Sequence, residues 1–99
     1  MTKVLIDMNA SEFQQSLFAL KKIEQRALLN TLNKISKMTW GVLQVDRGIK
    51  WESIRGKATI DGYPIYSFRF SQKCRGTAYR KNDVFVLLDL FPDHDGAYE

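Results

Sequence analysis

From Ile65 the chain alternates strictly: Tyr66, Phe68 and Phe70 fall on one side and Ser67, Arg69 and Ser71 on the other. That period of two predicts a half-buried strand whose polar face carries Arg69. A second alternating run puts Cys74, Gly76 and Ala78 on one face and Arg75, Thr77 and Tyr79 on the other. The small residues leave room for helices, so Arg75 is expected to face away from them. Lys81-Asn82-Asp83 reads as a turn, and Val84–Phe91 is apolar on both sides except for Asp89, the pattern of a strand in the interior of a sheet. Pro92 ends it.

The first half has a different period. Lys3 to Asp7 reads as a short strand, and Ser11 with Gln14 three residues on forms a capping-box pattern at the start of a helix. Phe13, Leu17 and Leu20 follow helical spacing; Ile23, Ala27, Leu28, Leu32 and Ile35 continue it on a shifted stripe. The phase shift near Lys21 to Glu24 predicts two helices or one that bends, and two packed helices, each laying one face on the sheet, are the preferred reading. At this spacing the stripe is read as core and not as a surface for a membrane or a partner helix. Residues 40 to 56 read as a connection with one helical turn at Trp51 to Ile54, and Asp61-Gly62-Tyr63-Pro64 as a turn before the sheet.

Length limits this pattern to one domain spanning residues 1–99, because a chain of this size buries only ~65% of its unfolded surface. The 44% hydrophobic and 26% charged composition is that of a globular protein. The net charge of +4 is unevenly spread. Residues 47 to 81 carry nine Lys and Arg against Glu52 and Asp61, a net of +7, whereas residues 82 to 99 hold five acids and no Lys or Arg. A sheet built from the basic middle attracts polyanions, RNA or DNA among them, or an acidic partner segment; solvated surface charge is the bland alternative. Cys74 is the only cysteine, so no intrachain disulfide forms and a reducing cytoplasm is expected. The start of the chain lacks the apolar run of a signal peptide, and no run approaches the ~20 apolar residues of a membrane span.

Four pieces of the second half, in this order, carry a family resemblance: Gly48-Ile49-Lys50-Trp51-Glu52-Ser53-Ile54-Arg55-Gly56, Tyr66-Ser67-Phe68-Arg69, Cys74-Arg75-Gly76 and Asp93-His94-Asp95-Gly96-Ala97-Tyr98. Together they resemble the RelE/ParE superfamily of bacterial toxins from type II toxin–antitoxin pairs. The resemblance implies an α+β fold, two N-terminal helices packed on one face of a twisted, mainly antiparallel four-stranded sheet in the order β-α-α-β-β-β. The opposite, concave face is then the working surface. Members similar to RelE cleave messenger RNA in the ribosome; members similar to ParE poison DNA gyrase.

Carried over residue by residue, the resemblance places Arg75 on the strand arginine that contacts the scissile phosphate and Arg69 on a basic position of the preceding strand. His94 falls on a catalytic histidine after the last strand, and Tyr98 on a late tyrosine. Histidine suits proton transfer because its unperturbed pKa of ~6.5 lies near operating pH, and two guanidinium forks suit a phosphate. The implied function is a metal-independent endoribonuclease acting on mRNA at the ribosome and neutralised by a cognate antitoxin. Its alternative is a binding module on the same fold, either a gyrase inhibitor or a relative without activity. Lys50, Lys57, Lys73 and Arg80 are the further RNA contacts expected, and the general base is left open among Glu52, Lys50 and Lys57. Asp89, Asp93, His94, Asp95 and Glu99 are possible metal ligands by type but form no ligand motif, so no metal or cofactor is expected.

Overall fold

The computed structural model describes residues 2–92. The elements run β1 (Leu5–Asp7), α1 (Ser11–Ala19), α2 (Lys22–Ser36), α3 (Trp40–Val45), β2 (Glu52–Ala58), β3 (Pro64–Arg69), β4 (Arg75–Lys81) and β5 (Val84–Phe91). They form one five-stranded sheet in the order β1-β5-β4-β3-β2. β1 pairs with β5 in parallel and the other neighbours are antiparallel. The architecture is the expected α+β one, with five strands in place of four. β5 lies between β1 and β4, in the interior position that its apolar sequence predicts.

The extra strand is β2. The predicted helical turn at Trp51 to Ile54 is instead the entry into this strand, which pairs with β3 from Glu52 opposite Ser67 to Ala58 opposite Pro64. Its residues are mostly exposed, and Gly56 takes a left-handed φ of 74° where the register shifts. An exposed edge strand broken by such an irregularity carries no alternation for a sequence pattern to show. The connection before it also holds α3, whose first turn is capped by the Thr39 side chain accepting from the Val42 N–H at 3.4 Å.

The helical break falls where the phase shift predicts it, with Leu20 and Lys21 in extended conformations between α1 and α2. The predicted capping box at Ser11 does not form. Ala10 is the N-cap, Ser11 Oγ donates to Glu12, and the Gln14 amide donates to the Met8 carbonyl at 2.9 Å. The carboxylate that does bridge a helix start is Glu24, which accepts from the Lys21 backbone N–H at 2.8 Å.

The helices bury their apolar stripes on one face of the sheet. Phe13, Leu28, Leu32, Ile35 and Leu43 meet Phe68, Phe70, Phe85, Leu87 and Leu90 in one core. Phe68 is fully buried and lies opposite Gly76 on β4. A Cβ built on Gly76 would fall 2.5 Å from Phe68 Cε1, so the glycine makes room for the ring. The arginine beside Gly76 is thereby turned to the opposite face. At one end the core becomes aromatic: Trp51 stacks on Tyr66 with centroids 4.4 Å apart, and Trp40 lies edge-on to Trp51 at 5.5 Å. No helix among the described residues is long and apolar enough to cross a membrane.

Candidate functional site

The sheet face opposite the core is built from strand registers. Arg69 on β3 stands directly opposite Arg75 on β4, and Arg75 is opposite Phe91 on β5. Directly opposed residues share a face, so the two guanidinium groups emerge side by side. The next row inward is polar across all four strands: Glu52 faces Ser67, Ser67 faces Thr77, and Thr77 faces Asp89. Between Thr77 and Ala78 the β4–β5 register shifts, which places one extra residue, Leu88, on β5. Leu88 and Asp89 consequently lie side by side opposite Thr77 instead of alternating across the sheet.

Several contacts fix these groups. Arg69 donates its backbone N–H to the Ile49 carbonyl at 2.6 Å. Ile49 is buried, and its own N–H donates to Asp46 Oδ1 at 2.8 Å. Asp46 also pairs with Lys34 at 3.5 Å. The Ile49 N–H is the largest influence holding the Asp46 carboxyl below its ordinary value; burial opposes it and Lys34 assists. Arg75 donates Nη1 to the Cys74 carbonyl at 3.4 Å. On β5, Asp89 Oδ1 accepts from Ser16 Oγ of α1 and from the Leu90 N–H at 2.8 Å.

Two features leave the arginine pair with donors to spare. Arg69 and Arg75 have no carboxylate within ion-pair distance among the described residues. Arg69 Nε is shielded from solvent and has no hydrogen-bond partner there. Like charges placed directly opposite each other on a sheet destabilise it, and a doubly bonded anion reverses the sign of that interaction.

One strand step from the pair lies a groove of about 570 Å³. Its apolar walls come from Ile54, Ile65, Leu88 and Phe91, and Ser67, Thr77 and Asp89 share its lining with Lys57. Lys57 is thus the one expected RNA-contact residue that lines the groove. Lys50 is exposed, in a left-handed conformation with φ 52°, just before β2. Lys73 lies in the β3–β4 hairpin loop. Arg80 shares the face of Gly76 and Ala78: its guanidinium lies 4.4 Å over the Trp40 ring, donates to the Asn82 carbonyl at 2.7 Å and approaches Asp83 at 3.8 Å. It is therefore not gathered with Arg69 and Arg75.

His94 and Tyr98 lie outside the described residues. Among the described residues, no three His, Cys, Asp or Glu side chains gather to hold a metal ion. Asp89 is the site residue whose surroundings the sequence least foreshadows, since its place in the groove depends on the register shift.

No family model matches the sequence, and no curated protein matches it. The fold, however, is that of the RelE-like toxins. The chain aligns with one from the archaeal RelE–RelB complex of Pyrococcus horikoshii OT3 at a TM-score of 0.60 and 17% identity, covering 97% of this chain and 100% of that one. A copper-bound mutant toxin from Helicobacter pylori aligns at 0.49 and 17% identity, over 95% of this chain and 96% of that one. At 17% identity the likeness to the archaeal RelE chain defines the fold and leaves the chemistry to be argued from the residues.

Proposed function

We propose that this chain is the toxin of a type II toxin–antitoxin pair and an endoribonuclease that cleaves mRNA at the ribosome without a metal. The observation that carries the proposal is the Arg69–Arg75 pair, directly opposed on the open face of a RelE-like fold and without a carboxylate partner among the described residues. The RelE-like fold also supports an antitoxin as partner, one that brings acidic and apolar residues to the basic face or the helices. The reading places the protein in the cytoplasm.

In the cleavage step a base removes the proton from a ribose 2′-hydroxyl, and the oxygen attacks the neighbouring phosphorus. The bond to the 5′ oxygen breaks, an acid protonates that oxygen, and the products are a 2′,3′-cyclic phosphate and a 5′-hydroxyl. Arg69 and Arg75 stabilise the added phosphate charge through their forked donors. His94 transfers a proton, and Tyr98 orients or stacks on the RNA. Glu52 is suited to the base, because it shares the arginine face at the outer end of the polar row. Lys57 contacts RNA from the groove, and Lys50, Lys73 and Arg80 contribute more distant positive charge.

Expression without an antitoxin tests this. Growth arrest with fragmented messenger is expected, relieved by Arg75→Ala and by His94→Ala. Full toxicity of both folded variants would overturn the mechanism, and DNA damage with intact messenger would identify a gyrase inhibitor instead.

A further inference from the structure

We infer that the groove beside the arginine pair is a nucleobase subsite and that Asp89 is its specificity-determining residue, favouring bases that carry an amino group over uracil. The inference rests on the reading that Arg69 and Arg75 hold a phosphate of RNA.

Three observations lead to it. The groove begins at Ser67 and Thr77, each two residues along its strand from Arg69 or Arg75, a step of about 7 Å that the sugar of one nucleotide bridges. Its volume is that of a small-molecule site, and Ile54, Ile65 and Leu88 give it the apolar walls that suit the faces of a planar base. Its charge is also graded. Two guanidinium groups stand just outside one end and Lys57 lines the β2 side, whereas Asp89 on β5, with Glu12 at the rim, supplies carboxylate to the groove.

A carboxylate in that place repels phosphate and accepts hydrogen bonds from N–H groups. Asp89 is held for the purpose: Ser16 Oγ and the Leu90 N–H both bond Oδ1, which leaves Oδ2 as the open acceptor among the described residues. Guanine, adenine and cytosine present an exocyclic amine to such an oxygen. Uracil has two carbonyls flanking a single ring N–H, and one of its oxygens would face the carboxylate. The phosphate end therefore anchors any nucleotide, and the carboxylate end sorts the bases.

NMR titration of the purified full chain with inorganic phosphate and with the 5′-monophosphates of guanosine, adenosine, cytidine and uridine tests both levels. The expected result is uridine monophosphate binding roughly tenfold or more weaker than the tightest of the other three, the scale of one hydrogen bond to a charged group. In Asp89→Asn, whose oxygen keeps the Ser16 and Leu90 bonds and whose Nδ2 puts a donor in place of the open acceptor, the discrimination against uridine monophosphate should fall to within about threefold or reverse, while phosphate affinity rises as the repelling charge is removed. Equal binding of all four nucleotides overturns the inference, as does nucleotide binding no tighter than phosphate; in both cases the arginine site stands. Failure of phosphate and all nucleotides to bind would sink the arginine reading itself. The wild-type comparison needs no variant, so a misfolded Asp89→Asn would not protect the inference.

Discussion

Arg69 and Arg75 form one cross-strand pair of the β3–β4 ladder, both on the face that the core leaves open. Holding two guanidinium groups there costs stability, so the site and the fold are in opposition at this point. Arg75→Gln is expected to leave the protein as stable as before or to stabilise it by up to about 1 kcal/mol, while abolishing anion binding. Chemical denaturation with and without phosphate checks this. Phosphate should raise the midpoint of the wild type and leave that of the variant unmoved.

Gly76 and Phe68 form the next pair, with no space for a side chain between them. Gly76→Ala should cost about 1–3 kcal/mol as the buried ring is forced from its place. Combining it with Phe68→Leu should recover part of that loss, so the double variant will be more stable than the sum of the single changes predicts. Additive losses in a denaturation series would mean that ring and glycine are not coupled.

Asp46 ties the turn that carries Ile49 to Lys34, and through Ile49 it fixes the backbone of Arg69. Its folded pKa lies below the ordinary 3.8, so it binds protons less readily folded than unfolded. Its contribution is therefore present above the unfolded value and lost as pH falls from there through the folded one. Asp46→Asn should lower stability at neutral pH by about 1 kcal/mol, with the difference shrinking on acidification below pH 4. Thermal unfolding across that range measures it, and a pH-independent gap would contradict the assignment.

Arg80 lies against Trp40 on the face away from the arginine pair. Arg80→Ala should cost about 0.5–1 kcal/mol and perturb tryptophan fluorescence, yet change phosphate affinity by less than about twofold. A large loss of phosphate binding would place this arginine in the site after all.

What the sequence revealed and what it hid follow from the range of the interactions. Alternation in residues 65–71 and 74–79 is enough to put Arg69 and Arg75 on the face away from Phe68 and Ala78. Their direct opposition is set by the hairpin, where Phe70 N–H bonds the Cys74 carbonyl at 3.1 Å, and no pattern states that register. Asp89 interrupts an apolar strand in the sequence, but only the extra residue on β5 turns it beside Leu88. β2 was hidden by its exposure and α3 by its six-residue length, although Thr39 before Trp40 is a capping signal that was there to be read. At Ser11 the local rule pointed to a cap that the Gln14–Met8 contact displaces.

The parallel pairing of β1 with β5 joins Leu5 to Val84, so nearly the whole chain is looped between the two strands that flank each other. α1 and β4 also rest on β5. Assembly must wait for the pairing of β1 with β5, strands far apart in the sequence, which predicts slow, all-or-none folding for so small a domain. A translation product broken off before Val84 would keep β3 beside Arg75 but lack β5 on its other side, and would have no seat for α1. A cell making such fragments should be spared whatever the finished protein does to it.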